Sequence, residues 1–322
     1  MRIRNIALAL GIMSMISCFY PETDRNNPFD PGSVNYVPGS HWKLLTASPM
    51  YSYRAKYGLC VYNNKVWLLG GENFNSSVYT APDGAAWQNV FSFPFAGRES
   101  FTPIVFNDRI WIIGGAISNP PETNDVWNFS GSSWNMVTPH ASFTNKQGYG
   151  ALTFNGKMFI IGGSSSAMYT NEVWSSTDGI SWTQVNANPA FYKRTHFGAV
   201  VFNNSMWIIG GDTNASNGAN DVWSSSDGNL WTLANPNPPF MARYGHAAVV
   251  HNGYIVVIGG RTSISATNDV WYSKDGTNWT FAANAPFTPR YFHRAVSLNG
   301  RLIVPCGTNF PGAFVNDVWG GN

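Results

Sequence analysis

A double glycine closes an apolar run five times in this chain, starting at Gly70, Gly114, Gly162, Gly210 and Gly259, and Cys306-Gly307 repeats it in degenerate form. The intervals run from 44 to 49 residues. A unit of that length cannot bury its hydrophobic face alone, so copies must stack, either as blades of a ring or as turns of a solenoid. The fourth copy shows what the unit contains. Arg194 precedes Gly198-Ala199-Val200-Val201-Phe202, Asn203-Asn204 turns the chain, and Met206-Trp207-Ile208-Ile209 returns to Gly210-Gly211. A polar loop leads to Asn220-Asp221-Val222-Trp223, Asp227-Gly228 turns again, and Trp231 marks a fourth strand. The other first turns are Asn63-Asn64, Asn107-Asp108, Asn155-Gly156, Asn252-Gly253 and Asn299-Gly300. Asn and Gly accept the positive φ of two-residue hairpin turns, so these are hairpin signals with a mechanism. No segment of the repeats sustains a 3.6-residue period, which argues against helical repeats.

The two ends of the chain complete each other. Five copies carry a turn followed by Trp, at Trp87, Trp134, Trp182, Trp231 and Trp279, whereas the sixth stops just after Asn316-Asp317-Val318-Trp319. The missing piece lies before the first copy, where Gly39-Ser40-His41-Trp42 has the spacing of Gly276-Thr277-Asn278-Trp279. Trp42-Lys43-Leu44-Leu45 is therefore expected to supply the outer strand of the last blade. Such a closure removes exposed sheet edges. It has no use in a linear solenoid.

With these features the chain resembles the kelch family of β-propellers. The motif is Arg, a small residue or His, an apolar strand, a turn, an apolar strand ending in Gly-Gly, then Asn-Asp-Val-Trp and a later Trp. Arg243-Tyr244-Gly245-His246 through Ile258-Gly259-Gly260 is the cleanest copy. The resemblance covers residues 39–322 and implies an all-β fold: a six-bladed kelch-type propeller of four-stranded antiparallel blades, closed by an N-terminal outer strand. Blade 1 departs from it with Ser76-Ser77-Val78-Tyr79, and blade 2 has Ser130-Gly131-Ser132-Ser133-Trp134 without the turn Asp. A second, partial resemblance is to the Asp-box hairpins of sialidase-type propellers, at Ser225-Ser226-Asp227-Gly228 and Ser273-Lys274-Asp275-Gly276. In that family the box is a peripheral structural turn, so it implies no chemistry here.

The chain holds 14 Trp, 14 Tyr and 21 Phe but only 11% charged residues, which suits pleated, half-buried surfaces. One domain is expected after the leader. Arg2 and Arg4 precede Ile6-Ala7-Leu8-Ala9-Leu10-Gly11-Ile12-Met13, a run too short to span a bilayer, and Met15-Ile16-Ser17-Cys18 resembles a bacterial lipobox. Residues 1–17 are read as a signal peptide, Cys18 as the lipidated residue, 18–38 as a lipid-anchored tether and 39–322 as the propeller. The tether is rich in Pro and Asn, and Asn27-Pro28-Phe29-Asp30-Pro31 looks like a juxta-anchor motif of some lipoproteins. The expected location is the bacterial cell envelope, with membrane contact through the anchor only. Without residues 1–17, basic and acidic residues balance at 17 each, and no basic run exists to neutralise phosphates, which argues against nucleic acid. Cys60 and Cys306 match no metal spacing and read as buried thiols. Neither metal nor cofactor is expected.

In an antiparallel blade the d–a and b–c loops share one face and the tight a–b and c–d turns the other. Ligands are expected at the channel mouth on the loop face. A cation precedes each glycine mark by 16 residues: Arg54, Arg98, Lys146, Arg194, Arg243 and Arg290. An aromatic stands three residues earlier each time: Tyr51, Phe95, Phe143, Phe191, Phe240 and Phe287. The functional reading is a cationic mouth for a carboxylate. The structural reading is that sixfold repetition serves what all blades share, with Arg bonding loop carbonyls and the aromatics wedged between blades. Unrepeated residues are sharper clues. Tyr244, His246, Tyr291 and His293 fall at matching places in blades 5 and 6, Arg261 lies beside them, and Glu99 is the one acid in that register. The preferred function is a tethered, non-enzymatic propeller binding a protein or carbohydrate. An alternative, implied by resemblance to kelch-type sialic acid mutarotases, gives Glu99 or His246 acid/base work. A third, implied by galactose oxidase, is a copper site on Tyr244, His246, Tyr291 and His293.

Overall fold

The computed structural model describes residues 30–33, 35–213 and 218–322, so the expected signal segment and Cys18 lie outside the described residues. The chain divides into two units, Met1–Tyr36 and Val37–Asn322. The described part of the first is a turn, in which the Ser33 N–H donates to the Asp30 carbonyl at 2.8 Å. The second contains all the repeats.

Six four-stranded antiparallel sheets form from the six copies. In blade 4, strand a is Gly198–Phe202, b is Ser205–Gly211, c is Ala219–Ser225 and d is Thr232–Asn235. The a strands of neighbouring blades touch all the way round, including blade 6 to blade 1, so they surround a central channel. Every a–b turn has two successive left-handed residues, as at Asn203 (φ 45°) and Asn204 (φ 54°), the geometry that the Asn and Gly pairs foretold. The cores lie between blades. Val200 and Phe202 of blade 4, for example, pack with Ile255 and Val257 of blade 5.

The ring closes as the ends of the sequence require. Trp42–Thr46 pairs antiparallel with Phe314–Gly321, the third strand of blade 6, with Trp42 opposite Gly321 and Leu44 opposite Trp319. Trp42 also fills the slot of its counterparts. Its Nε1–H donates to the Gly39 carbonyl at 2.7 Å, as Trp279 does to Gly276 at 3.1 Å. Its ring meets Phe287 edge-on at 5.3 Å, as Trp279 meets Phe240 at 5.2 Å. The Asp-box-like turns are structural: Asp227 Oδ1 accepts the N–H groups of Asn229 and Leu230 at 2.8 and 2.9 Å, and Asp275 Oδ1 those of Thr277 and Asn278. Cys60 and Cys306 are buried free thiols, and burial pushes the Cys306 thiol up to about 12.

Candidate functional site

The repeated cations come first, because they frame everything else. Arg54, Arg98, Lys146, Arg194, Arg243 and Arg290 are all at most 1% exposed. Arg194 is representative: Nη1 donates to the Gly210 carbonyl at 2.9 Å, Nε to the Tyr192 carbonyl at 3.0 Å, and the fork grips Asp221 at 2.7 and 2.8 Å. Asp221 also accepts the Trp223 indole N–H at 2.6 Å. The Asn-Asp-Val-Trp motif is thereby explained. Asp receives the arginine and the tryptophan two residues on, while Asn220 donates to the Pro238 and Phe240 carbonyls of the next d–a loop. Blades 2, 5 and 6 use Asp125, Asp269 and Asp317 in the same way. Blade 3 swaps both partners at once: Lys146 Nζ meets Glu172 Oε1 at 2.6 Å, the longer carboxylate matching the lysine. Blade 1 has no acid in this slot, and Arg54 instead lies over the Tyr51 and Tyr79 rings. The structure therefore places the six cations in the framework rather than around open space. The six aromatics each face the Trp of their own blade, as Phe191 faces Trp231 at 5.1 Å.

Two residues after each cation stands a position whose residue type does not repeat, of which the sequence points only to His196. Lys56, Ser100, Gly148, His196, Gly245 and Phe292 all have φ between 52° and 63°. The left-handed backbone turns each N–H toward the preceding blade. The N–H of Ser100 donates to the Lys56 carbonyl, Gly148 to Ser100, His196 to Gly148, Gly245 to His196, Phe292 to Gly245 and Lys56 to Phe292, all at 2.7 to 3.0 Å. This closed belt of six backbone hydrogen bonds rims the channel. Four of its members carry side chains, and three of these plug the mouth: His196 lies 4.8 Å from Phe292, and Lys56 Nζ sits 5.4 Å from the same ring. Lys56 pairs with Glu99 at 3.1 Å and Glu72 at 3.4 Å. Burial works against its charge, but the two acids outweigh it and raise its pKa.

Of the five side chains expected to crowd one sector, three do so and two turn away. Tyr244 and Tyr291 meet edge-on at 6.4 Å. The Arg261 guanidinium lies 5.4 Å from the Tyr291 ring and 5.3 Å from the Phe310 ring, and its Nη1 reaches the Tyr291 hydroxyl at 3.4 Å. Tyr169 stands nearby, donating to Asp212 Oδ2 at 2.7 Å. Burial raises the Tyr244 pKa, with Arg261 opposing. His246 and His293 instead enter the inter-blade layer, in the slot held by Tyr57, Phe101, Tyr149 and Phe197 elsewhere. A side-chain carbon on Gly210 would sit 3.3 Å from the His246 ring, and one on Gly259 3.0 Å from His293. Burial, then Arg243, brings the His246 pKa down to about 3; burial, then Arg290, holds His293 well below its ordinary value. The cavities that His246 lines do not include Glu99 in their walls. Among the described residues, no group of three or more His, Cys, Asp or Glu side chains is gathered as a metal would need.

Behind the plug, the channel holds one unrepeated cation. Arg294 occupies the position that is Gly58, Thr102, Gly150, Gly198 and Ala247 in the other blades. Its side chain reaches back past blade 1 to blade 2, with Nε on the Tyr57 carbonyl at 3.3 Å and Nη2 on the Phe101 carbonyl and Thr102 Oγ1 at 3.1 and 3.0 Å. Its backbone N–H donates to the Tyr57 hydroxyl, which in turn donates to the Pro305 carbonyl. The signal was legible in the sequence: a charge at a slot that every other repeat fills with Gly, Ala or Thr.

Six antiparallel blades held by a repeated buried cation–acid–Trp network define a kelch-type β-propeller. More narrowly, the chain belongs to the Attractin/LZTR1 β-propeller family, whose model matches residues 110–313. Among solved structures it is similar to that of YjhT, with a TM-score of 0.74 at 16% identity over 85% of this chain and 96% of that one. As many as 593 chains of solved structure match, so the architecture is widely shared and by itself says nothing of activity. A search of curated protein sequences finds no match.

Proposed function

We propose that this propeller is a recognition module without chemistry of its own, binding a protein or glycan through the face that carries the b–c and d–a loops. The observation that carries this reading is the rim cluster of Tyr244, Tyr291, Arg261 and Phe310. Aromatic faces beside a guanidinium suit sugar rings and protein side chains alike. The surroundings agree. Met50, Tyr53, Met168, Tyr192, Ile264 and Phe310, all on the b–c and d–a connections of this face, are each at least 50% exposed. The face also carries a groove of about 460 Å³ beside Met168 and Lys193. The opposite face exposes Ile180 and Leu230 at its c–d turns. We further propose export and a lipid on Cys18, which would present this face from the bacterial envelope.

A glycan array and a panel of sugar acids, probed with residues 36–322, test the assignment. Tyr244→Ala and Arg261→Ala should each abolish capture of the selected ligand and leave the thermal midpoint nearly unchanged. Anomer exchange of a sugar acid catalysed by the protein, followed by NMR, would replace this reading with an enzymatic one. Fatty-acid labelling that persists in Cys18→Ser would remove the anchor.

A further inference from the structure

The strongest unexplained feature is the cation inside the channel. Each repeated arginine of blades 2, 4, 5 and 6 has a carboxylate partner. Arg294 has none among the described residues; its protein partners are two carbonyls and one hydroxyl. Among the described residues its Nη1 has no hydrogen-bond partner. Tyrosines are the groups whose charge it senses, and burial lowers its pKa. Arg294 is half-buried and lines the channel cavities, and a guanidinium keeps its charge at ordinary pH, so the place suits an anion from outside the fold. The space for one is present. A cavity of about 150 Å³ adjoins Arg294, walled by Leu59, Thr102, Ala199, His246, Ala248 and Ala295. No Asp or Glu lines it. The imidazoles that share a cavity wall with it, His196, His246 and His293, are neutral at ordinary pH because burial holds them down, the first two to about 3 and His293 well below its ordinary value.

We propose that this chamber binds a free short-chain monocarboxylate, its oxygens on the Arg294 guanidinium and its carbon chain on the Leu59 and alanine wall. A planar two-oxygen anion matches the guanidinium fork, and charge-assisted bonds in such a site are strong. The volume sets the size, since a cavity of this order takes a ligand of about six heavy atoms. The site is separate from the rim cluster and stands or falls apart from it.

Thermal unfolding of the whole chain in propionate, propionamide and chloride, at matched ionic strength, tests the site. Propionate should raise the midpoint saturably, whereas the neutral amide and chloride should not. Arg294→Gln should weaken propionate at least tenfold, and Arg294→Lys, which keeps the charge but not the fork, by less. Equal midpoints in propionate and chloride would overturn the site, as would a propionate effect that survives Arg294→Gln. A stronger, Arg294-dependent effect of glucuronate would overturn the short-chain assignment and point to a carboxylate carried on a larger ligand. Should Arg294→Gln fail to fold, crystals of the unaltered protein soaked in 2-bromopropionate decide the matter. Anomalous bromine signal in the chamber supports the site; its absence there removes it.

Discussion

Arg290 and Arg294 lie four residues apart on one blade, and they have opposite surroundings. Arg290 is fully buried against a half-buried counter-charge: Nη2 meets Asp317 Oδ2 at 3.0 Å and Nη1 the Cys306 carbonyl at 2.9 Å. Arg294 crosses the channel to neutral oxygens of blades 1 and 2. The first has a counterpart in every blade, and its acid recurs with it in every blade but the first. The second is alone, and among the described residues no acid accompanies it. A charge repeated together with its partner serves the framework. A charge that departs from the repeat without a partner marks where this propeller differs from others built on the same plan.

The largest effect should come from breaking a repeated pair. Arg194→Met keeps most of the side-chain volume but leaves Asp221 without its cation. Removing one partner of a buried pair costs about 3–5 kcal/mol, and the low end applies because Asp221 retains some solvent. Arg54→Met in blade 1 should cost about half as much, since it strands carbonyl groups and no carboxylate. Denaturant unfolding measures both. Equal losses would mean that hydrogen bonds to carbonyls, not counter-charges, hold the ring.

Acid should weaken the molecule in two stages, and the difference between the framework acids and the histidines of the mouth and inter-blade layer sets the order. Asp125, Asp221, Asp269, Asp317 and Glu172 have pKa values below their ordinary ones: burial opposes this, but the cation partner outweighs it. A depressed carboxylate contributes stability above its unfolded pKa, about 4, and loses it as pH falls through the folded value. His196 and His246 are depressed to about 3 by burial. Unfolding lets them take up protons below about 6.5, so their contribution falls away from there downward. Each such histidine gives a slope of about 1.4 kcal/mol per pH unit. His246→Phe copies the residue of blades 2 and 4 and should remove about 2 kcal/mol of the loss between pH 6.5 and 5. Unfolding free energies of the two proteins at both pH values give the comparison directly. An unchanged slope would show that His246 is protonated in the folded state or escapes to water.

The sequence carried the blade count, the strand order and the closure, because each rests on local chemistry that repeats. Asn-Gly and Asn-Asn turns need positive φ, and Trp42 needs its glycine three residues back. What it concealed depends on which way a side chain points. His246 and Tyr244 are two residues apart on an extended segment, yet Gly245 between them is left-handed at φ 62°, which sends Tyr244 to the rim and His246 between blades. Alternation along a strand, the assumption behind grouping them, fails at that one residue. The belt of Lys56, Ser100, Gly148, His196, Gly245 and Phe292 was concealed for a related reason. Its members share a backbone conformation and no residue type. Arg294 was visible as a departure from small residues, but its length hid that it would reach two blades away.

The smallest effect on stability should come from the rim. Arg261 makes one long hydrogen bond to a hydroxyl and lies over Tyr291 and Phe310, the latter 50% exposed. A cation over an exposed ring contributes about 0.5–1 kcal/mol, and the side chain is only half-buried. Arg261→Ala should therefore lower unfolding free energy by less than about 1 kcal/mol, well under Arg194→Met. Its backbone bonds to Tyr244, at 3.0 and 2.8 Å, do not depend on the side chain, so the rim should keep its shape. Loss of ligand capture without loss of stability would separate the rim from the ring. A destabilisation equal to that of Arg194→Met would place Arg261 in the framework, and an unrepeated cation would then no longer mark a site.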